Sequence, residues 1–342
     1  MTLKFNIVYI PGAARYQSLF TLSLLKWSDC SFRLVANGCS PEEVHWLQRL
    51  CSRSSRLEFL ALPFEGIVEH GQALSYVQRL ERSDRFCFMD SDILAISNFS
   101  KEFSQYLNRY TGLFSCLPIC FKDEEKTLPE SYPGIFGRHH ITEGGICLGG
   151  TYFAIYDNQV LTQVIQSTGV DFTRHWWSDI PEQYRDSLTR MGLRREWYDT
   201  GKVLNLLLIA QGERLIFRET SALQHIGGIS VICMASQKPH THRPMTGRLG
   251  WLWKKLTGRP GSGVRATLKR RTRGFPVTEA GRMITRRKRI FAHYFAQLLQ
   301  ALFEDRPLPV RPTIGENEIE QRIDLVTAHI LNLYLEYEHI AR

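Results

Sequence analysis

The first ninety residues alternate between short apolar runs and longer segments with helical spacing. The apolar runs are five to seven residues long and bounded by Gly, Pro or charged residues, as is typical of buried strands; they are residues 5–10, 32–38, 56–62 and 85–89. The helical segments are residues 17–28, 40–53 and 69–82. Strands that alternate with helices in this order predict an α/β protein with a mostly parallel sheet flanked by helices.

The sequence contains one clear helix N-terminus signal. Ser40 is a good N-cap, Pro41 suits the first helical position, and Glu42 and Glu43 follow in the first turn. Beyond residue 100 the pattern is less regular. It predicts strands over 113–120 and 145–156, a polar loop over 121–142, and helices over 157–169, 200–211, 284–303 and 316–339.

Candidate chemistry lies where the fourth apolar run ends, in the stretch RFCFMDSDILAI. Asp90 and Asp92 follow this strand directly, and ligands of parallel sheets bind beyond the carboxyl ends of the strands. Two carboxylates held at one point repel each other unless a cation lies between them. Mg²⁺ or Mn²⁺ suits such oxygen ligands and commonly bridges to substrate phosphates. The alternative is a solvated aspartate pair that caps a helix.

The positive charge of the chain is concentrated in one segment. The formal net charge is +9, but Lys238 to Ile290 contains sixteen Lys and Arg residues and one acid, so the rest of the chain is net acidic. Trp251 and Trp253 lie among these cations, a combination that favours an anionic membrane surface. A solvated basic loop is the alternative. We expect no nucleic-acid partner, because no RNA-binding module surrounds these residues.

The composition also indicates the cellular compartment of the protein. The hydrophobic fraction of 43% is ordinary for a globular protein. The eight cysteines contain no CxxC pair, so we expect reduced thiols in a cytoplasmic protein. The first residues lack signal-peptide architecture, and no apolar run approaches the ~18 residues of a membrane span. We therefore expect a cytoplasmic protein that can attach peripherally to the inner face of the membrane.

The sequence resembles the family-2 and related glycosyltransferases of the GT-A (Rossmann-like) fold. The resemblance lies in the strand NIVYI, in FMDSD at the end of the fourth strand, and in the later stretches EWYDTGKVLNLLLIAQG and LQHIGGIS. It implies a GT-A domain over residues 1–236, with a donor half over about 1–95 and an acceptor half over about 96–236. Residues 237–342 would then be a basic linker and a largely helical C-terminal extension.

The resemblance also implies roles for individual residues. The donor would be a nucleotide sugar, the cofactor Mn²⁺ or Mg²⁺, and the acceptor a glycan or a lipid-linked hydroxyl. The implied residues are Asp92, Asp90 and His225 for the metal; Pro11, Gly12, Ala13 and Asn37 with the two aspartates for the donor; Gly149, Gly150 and Trp197 for the sugar or acceptor; and Asp199 as the general base.

Each of the later assignments has a structural alternative. Asp199 precedes a predicted helix, where an N-cap is the common role of aspartate. His225 could be a buried histidine bonded to the backbone. The two glycines could mark a bend in a strand, and Trp197 could pack in the core.

Two other functions remain open on the sequence alone. An aspartate-nucleophile phosphatase also uses an apolar strand that ends in D-x-D, with the first aspartate attacking phosphorus. Such chains usually place that strand first and follow it with Thr or Val, whereas here it is the fourth strand and Leu94 occupies that position. A catalytically inactive sugar-binding scaffold is the second alternative.

Overall fold

The computed structural model describes residues 3–127, 150, 152–194, 197–236 and 279–341. The predicted sugar-site residue Gly149, the side chain of Trp197 and residues 238–278 of the basic segment lie outside the described part. The strands are β1 (Lys4–Tyr9), β2 (Ser31–Ala36), β3 (Leu57–Ala61), β4 (Arg85–Met89), β5 (Ile93–Ala95), β6 (Gly112–Phe114), β7 (Phe153–Asp157), β8 (His175–Trp176), β9 (Trp197–Tyr198), β10 (Leu215–Phe217) and β11 (Leu223–His225).

Helices precede and follow these strands along the chain. They are α1 (Ala14–Lys26), α2 (Pro41–Cys51), α3 (His70–Leu80), α4 (Ser100–Leu107), α5 (Asn158–Thr168), α6 (Glu182–Arg190), α7 (Lys202–Ala210), α8 (Ile229–Ser236), α9 (Glu279–Phe303) and α10 (Asn317–Ala341). Among these helices, none combines the length and apolar character needed to cross a bilayer.

The central sheet has seven strands in the order β10-β6-β7-β4-β1-β2-β3. Strand β1 pairs in parallel with β2 and β4, β2 with β3, and β6 with β10. Strand β7 runs antiparallel to both of its neighbours, β4 and β6. The predicted α/β class with a mostly parallel sheet is confirmed, and the sheet is mixed because of β7.

Both faces of the sheet are covered, and successive side chains of one strand enter different clusters. In β4, Cys87 and Met89 belong to the cluster under α1, whereas Phe86 and Phe88 belong to the cluster with α3, α5 and α7. Strands buried on both faces read as unbroken apolar runs. This is why the first four strands were visible in the sequence without alternation.

The helices α9 and α10 complete the cluster under α1. Phe303 of α9 packs edge-on against Tyr16 of α1, with ring centroids 5.6 Å apart, and lies 5.5 Å from the ring of Tyr334 of α10. Arg287, buried in α9, forms 2.8 Å ion pairs with Glu125 and Glu316. The described part of residues 237–342 therefore shares a cluster with the first 236 residues. The boundary between the GT-A domain and the extension at residue 236 stays a prediction.

The predicted strand over 113–120 is shorter in the structure. It ends at Phe114, and Cys116 adopts a φ of 65°, in the left-handed region that non-glycine residues rarely occupy. The predicted strand over 145–156 corresponds to β7, with residues 145–149 and 151 outside the described part.

Candidate metal centre

The two aspartates lie where β4 leaves the sheet. The backbone N–H of Asp90 donates to the carbonyl of Tyr152 at 2.6 Å, which extends the β4–β7 ladder by one residue. Asp92 comes immediately before β5, and its carbonyl accepts from the N–H of Ile226 at 3.1 Å. Asp90 is half-buried and Asp92 is buried. The pair therefore sits at the carboxyl edge of the sheet, with one carboxylate toward solvent and one enclosed.

A short antiparallel pairing brings His225 to these carboxylates. Strand β11 pairs with β5 in a register that sets His225 opposite Ile93, the residue after Asp92. The Nε2 atom of His225 lies 3.2 Å from Asp92 Oδ1 and 3.5 Å from Asp90 Oδ2. A pairing of three residues thus joins two side chains that are more than a hundred positions apart in sequence.

The other ring nitrogen of His225 fixes its tautomer. Nδ1 lies 2.8 Å from the carbonyl oxygen of Cys116, and because a carbonyl only accepts, Nδ1 carries the proton. Nε2 is buried and makes no hydrogen bond of good geometry with the described residues. A metal-ligating histidine characteristically uses its second nitrogen in this way. Cys116, whose carbonyl orients the His225 ring, is the same residue that adopts the left-handed backbone conformation.

The charges of the three side chains depend strongly on one another. Burial alone would lower the pKa of His225, but the carboxylates of Asp90 and Asp92 outweigh it and raise the pKa to about 9. Burial would raise the pKa of Asp92, yet His225, the N–H of Ile229 and, more weakly, the charge of Lys288 lower it. A positive charge between the carboxylates is therefore favourable, and in the absence of a cation the proton on His225 provides it.

The donor atoms suit a divalent cation. One ligand atom each from Asp90, Asp92 and His225 lies within 4.8 Å of the others. Two carboxylate oxygens and a neutral imidazole nitrogen fit Mn²⁺, and the nitrogen makes Mg²⁺ the less suitable ion. The buried Nε2 of His225 also indicates a metal site, because coordination to a cation would satisfy this atom.

Two further elements hold the centre in place. The N–H of Ile229, at the start of α8, donates to Asp92 Oδ2 at 3.2 Å, so the carboxylate faces the positive end of a helix. Gln17 of α1 accepts hydrogen bonds from the hydroxyls of Ser91 and Ser230, at 2.8 and 2.9 Å. These contacts could not be predicted from the sequence, because Gln17 looks like any polar residue on an amphipathic helix.

The residues predicted for the donor lie along the same edge of the sheet. Gly12, in the turn Pro11–Ala13 after β1, has a φ of 85° and donates its N–H to Glu43 Oε1 at 2.7 Å. Asn37 follows β2 and is buried. Its Nδ2 donates to the carbonyl of Val68 at 3.0 Å, and its Oδ1 accepts from the Val68 N–H at 2.9 Å. The donor-binding role of this edge stays a prediction. The two hydrogen bonds with Val68 also give Asn37 a structural role.

The residues predicted for the acceptor are placed differently. Asp199 Oδ1 accepts from the N–H of Thr200 at 2.9 Å, and α7 begins only at Lys202, with Gly201 in the N-cap position. Asp199 is thus not the cap of that helix. A Cβ at Gly150 would lie 2.6 Å from the ring of Tyr152, which packs 4.8 Å from the His225 ring. The lack of a side chain at Gly150 makes room for Tyr152.

The fold and the site together define an α/β protein with a candidate metal centre of two aspartates and a histidine at the carboxyl edge of its sheet. No protein-family model matches the sequence, and no curated protein matches it.

Three solved structures illustrate what the fold is similar to. They are the glycosyltransferase GlyE of Streptococcus pneumoniae TIGR4 (TM-score 0.37, 11% identity), the galactosyltransferase LgtC in complex with donor and acceptor sugar analogs (0.38, 9%), and the bifunctional glycosyltransferase WbbM (0.37, 9%). The matches cover 63%, 63% and 64% of this chain, and 45%, 73% and 39% of the respective partners. At these identities and TM-scores, the likeness assigns no function to this chain.

Proposed function

We propose that this protein is a metal-dependent glycosyltransferase of the GT-A type. It would move a sugar from a nucleotide-diphosphate sugar to a hydroxyl acceptor. The acceptor oxygen forms a bond to the anomeric carbon as the bond from that carbon to the diphosphate breaks. The bonding electrons leave with the nucleoside diphosphate, and the hydroxyl proton passes to a base.

The observation that carries the proposal is the convergence of Asp90, Asp92 and His225 within 4.8 Å at the carboxyl edge of the sheet. This edge is where α/β sheets bind their ligands. A divalent cation held there would offset the negative charge of the donor diphosphate and of the leaving group. The chain's own contribution is a fixed histidine tautomer and a buried carboxylate anchored at the N-terminus of α8.

The same edge supports an assignment of the remaining roles. The turn Pro11–Ala13 follows β1, which is next to β4, and Asn37 follows β2, the next strand along the sheet, so we assign them to the nucleoside part of the donor. We assign the general base to Asp199, because a sugar hydroxyl is a poor nucleophile and a placed carboxylate typically contributes about 10²–10⁴-fold. Gly149, Gly150 and Trp197 are assigned to the sugar or acceptor.

The phosphatase alternative is disfavoured by the state of its second aspartate. That mechanism requires a carboxyl group that can donate a proton. Asp92 is buried, faces His225 and has its pKa lowered, so it stays ionised near neutral pH. The scaffold alternative predicts no transfer and no requirement for an intact metal centre.

Calorimetry and thermal unfolding test the metal and donor sites together. The wild-type protein should bind Mn²⁺, and a nucleoside diphosphate from the set UDP, GDP, CDP, ADP and dTDP should then raise Tm by a few degrees. Asp92→Asn should lose both effects, whereas Asp186→Asn, an exposed aspartate on α6, should keep them. Nucleoside diphosphates that stabilise Asp92→Asn as much as the wild type would contradict the proposal. Hydrolysis of a generic phosphomonoester would favour the phosphatase.

A second experiment tests the base. With the donor sugar identified from a nucleotide-sugar panel, Asp199→Asn should retain the affinity for the nucleoside diphosphate while transfer falls by about 10²–10⁴-fold. A parallel loss of nucleotide affinity would instead show that Asp199 supports the fold of the site.

The proposal also includes the acceptor, which we assign only to a chemical class. We assign it to the glycan or lipid-linked class, in the assembly of cell-surface glycans or glycolipids at the inner face of the cytoplasmic membrane. The support is the basic segment, whose described part carries Arg282, Arg286 and Arg289 exposed on α9. Their spacing of four and three residues puts them on one face of the helix.

A further inference from the structure

The turn that follows His225 is open toward the C-terminal helix α9. Gly227 and Gly228 have φ values of 79° and 96° and connect β11 to α8. A Cβ built at Gly227 would lie 3.4 Å from Cε of Lys288, and one at Gly228 would lie 3.5 Å from the same atom. The stem of Lys288 therefore passes over a turn that begins two residues after the candidate metal ligand.

Lys288 occupies the inward face of α9. Ile284, Phe291 and Phe295, four residues before and three and seven after it, are buried in the core, and Lys288 itself is half-buried. The turn that its stem crosses leads directly into Ile229, whose N–H donates to Asp92 Oδ2 at 3.2 Å. The stem of Lys288 thus reaches the surroundings of the candidate metal centre from an element some sixty residues further along the chain.

The neighbouring cations of α9 are oriented elsewhere. Arg287 is held between Glu125 and Glu316, while Arg286 and Arg289 are exposed. Among the described cations of α9, Lys288 is the one whose stem lies within 3.5 Å of the positions that a Cβ would take at Gly227 and Gly228.

We propose that Lys288 binds the diphosphate of the donor, so that the C-terminal helix α9 supplies a residue of the active site. This inference rests on the proposed function. Two aspartates and a divalent cation leave little net charge, whereas the donor diphosphate carries about two negative charges and the departing nucleoside diphosphate about three, and these need a further partner. Lysine serves phosphates as a point charge on a flexible stem. Because an ammonium and a metal ion repel each other, both are accommodated when the anion lies between them.

This arrangement predicts effects of opposite sign on two ligands. Removing the ammonium relieves its repulsion of a bare cation, so Lys288→Met should bind Mn²⁺ alone as tightly as the wild type or more tightly. The same variant should lose roughly tenfold or more of its affinity for the nucleoside diphosphate in the presence of Mn²⁺, because a charge-assisted contact is gone. A lysine that only supports the fold would weaken both.

The experiment measures Mn²⁺ alone by electron paramagnetic resonance and UDP, GDP, CDP, ADP and dTDP with saturating Mn²⁺ by calorimetry. Lys288→Arg should stay within a few fold of the wild type for the diphosphate. Lys101→Met makes the same substitution at an exposed position of α4 and should change neither affinity. Tm without ligands reports folding; if Lys288→Met does not fold, Lys288→Gln takes its place.

The outcomes separate the inference from the proposed function. If the wild type binds a nucleoside diphosphate and Lys288→Met binds it equally well, the inference fails and the proposed function stands. If both affinities of Lys288→Met fall together, Lys288 is structural and the inference also fails. If the wild type binds none of the five diphosphates with Mn²⁺, the proposed function fails and the inference fails with it.

Discussion

At the scale of single residues, His225 unites the candidate site. One nitrogen is bound by the carbonyl of Cys116, and the other faces two carboxylates at 3.2 and 3.5 Å. The imidazole is therefore neutral and correctly oriented when a metal is bound, and protonated when none is. The same residue would change its charge with the occupancy of the site.

The stability of the metal-free protein should consequently depend on pH through His225. Its pKa is about 9 in the folded state, above the ordinary value of 6.5. The folded state therefore holds this proton more tightly, and the stabilisation is complete below pH 6.5 and is lost as the pH rises through about 9. Urea unfolding in EDTA should show a loss on the order of 1–3 kcal/mol across this window.

Two controls make this pH dependence specific. Saturating Mn²⁺ should flatten the profile, because the metal replaces the proton. His225→Gln should flatten it as well, at a lower overall stability. A metal-free wild-type profile that is level from pH 6.5 to 9, or that rises, would contradict the assigned charge state.

The sequence predicted the polar side chains of this site but not their surroundings. The D-x-D after a buried strand and the late His225 were both recognised, and the structure brings them together. The role of the Cys116 carbonyl could not be predicted from the sequence, because every residue has a carbonyl. This carbonyl faces the His225 ring because Cys116 adopts a backbone conformation that is rare for a non-glycine residue. Ser91 and Gln17 likewise acquire their partners only through tertiary packing.

At the scale of elements, Glu43 of α2 connects a helix cap to the donor edge. It accepts from the N–H of Ser40 at 3.0 Å, completing a capping box, and from the N–H of Gly12 at 2.7 Å in the turn after β1. The helix start predicted at Ser40 and Pro41 is confirmed. The second function of Glu43 depends on the parallel pairing of β1 and β2, which brings α2 beside the turn.

Two substitutions in α2 should differ in cost for this reason. Ser40→Ala removes one cap and should destabilise the protein by about 1 kcal/mol. Glu43→Ala leaves the N–H groups of both Ser40 and Gly12 without their acceptor and should cost about 1–3 kcal/mol more. Chemical unfolding at neutral pH measures both. Equal costs would mean that the contact with Gly12 contributes nothing to stability.

Element length explains which elements the sequence could predict. The first four strands form unbroken apolar runs, and the helices α1, α2, α3, α5, α7, α9 and α10 have helical apolar spacing, so the sequence pattern predicted them. Strands β5 and β11 have three residues each and β8 and β9 have two, too few for any period. The pair β5–β11 is nevertheless the one that delivers His225, so the site depends on the elements that pattern reading detects least well.

At the scale of the whole molecule, the charge distribution separates two regions. The basic segment from 238 to 290 contrasts with the rest of the chain, which is net acidic. The described part of this segment carries Arg282, Arg286 and Arg289, which are exposed on α9. The sequence predicted both C-terminal helices, but not that they would pack against α1, since apolar spacing says which face is buried and not against what.

Binding to anionic vesicles tests the proposed attachment. Vesicles with a third phosphatidylserine should bind the full chain, and neutral vesicles should not. Arg286→Gln with Arg289→Gln should weaken binding about tenfold or more, at ~1 kcal/mol for each cation. The matched pair Arg53→Gln with Arg82→Gln, exposed on the N-terminal part, should have little effect. Indifference to lipid charge would rule out the attachment, and tighter binding to RNA would indicate a different partner.

The packing of α9 and α10 against α1 has a consequence for biosynthesis. Helix α1 is made among the first thirty residues, yet the helices that cover it arrive more than two hundred residues later. At a translation rate of ~5–20 residues per second, its apolar face waits uncovered for roughly 10–60 s. A nascent chain carrying residues 1–236, followed by a linker that clears the ribosomal exit tunnel, should therefore bind a ribosome-associated chaperone through α1. A chain that continues through α10 before the same linker should release it. Equally low chaperone occupancy on both nascent chains would mean that the first 236 residues shield this face by themselves.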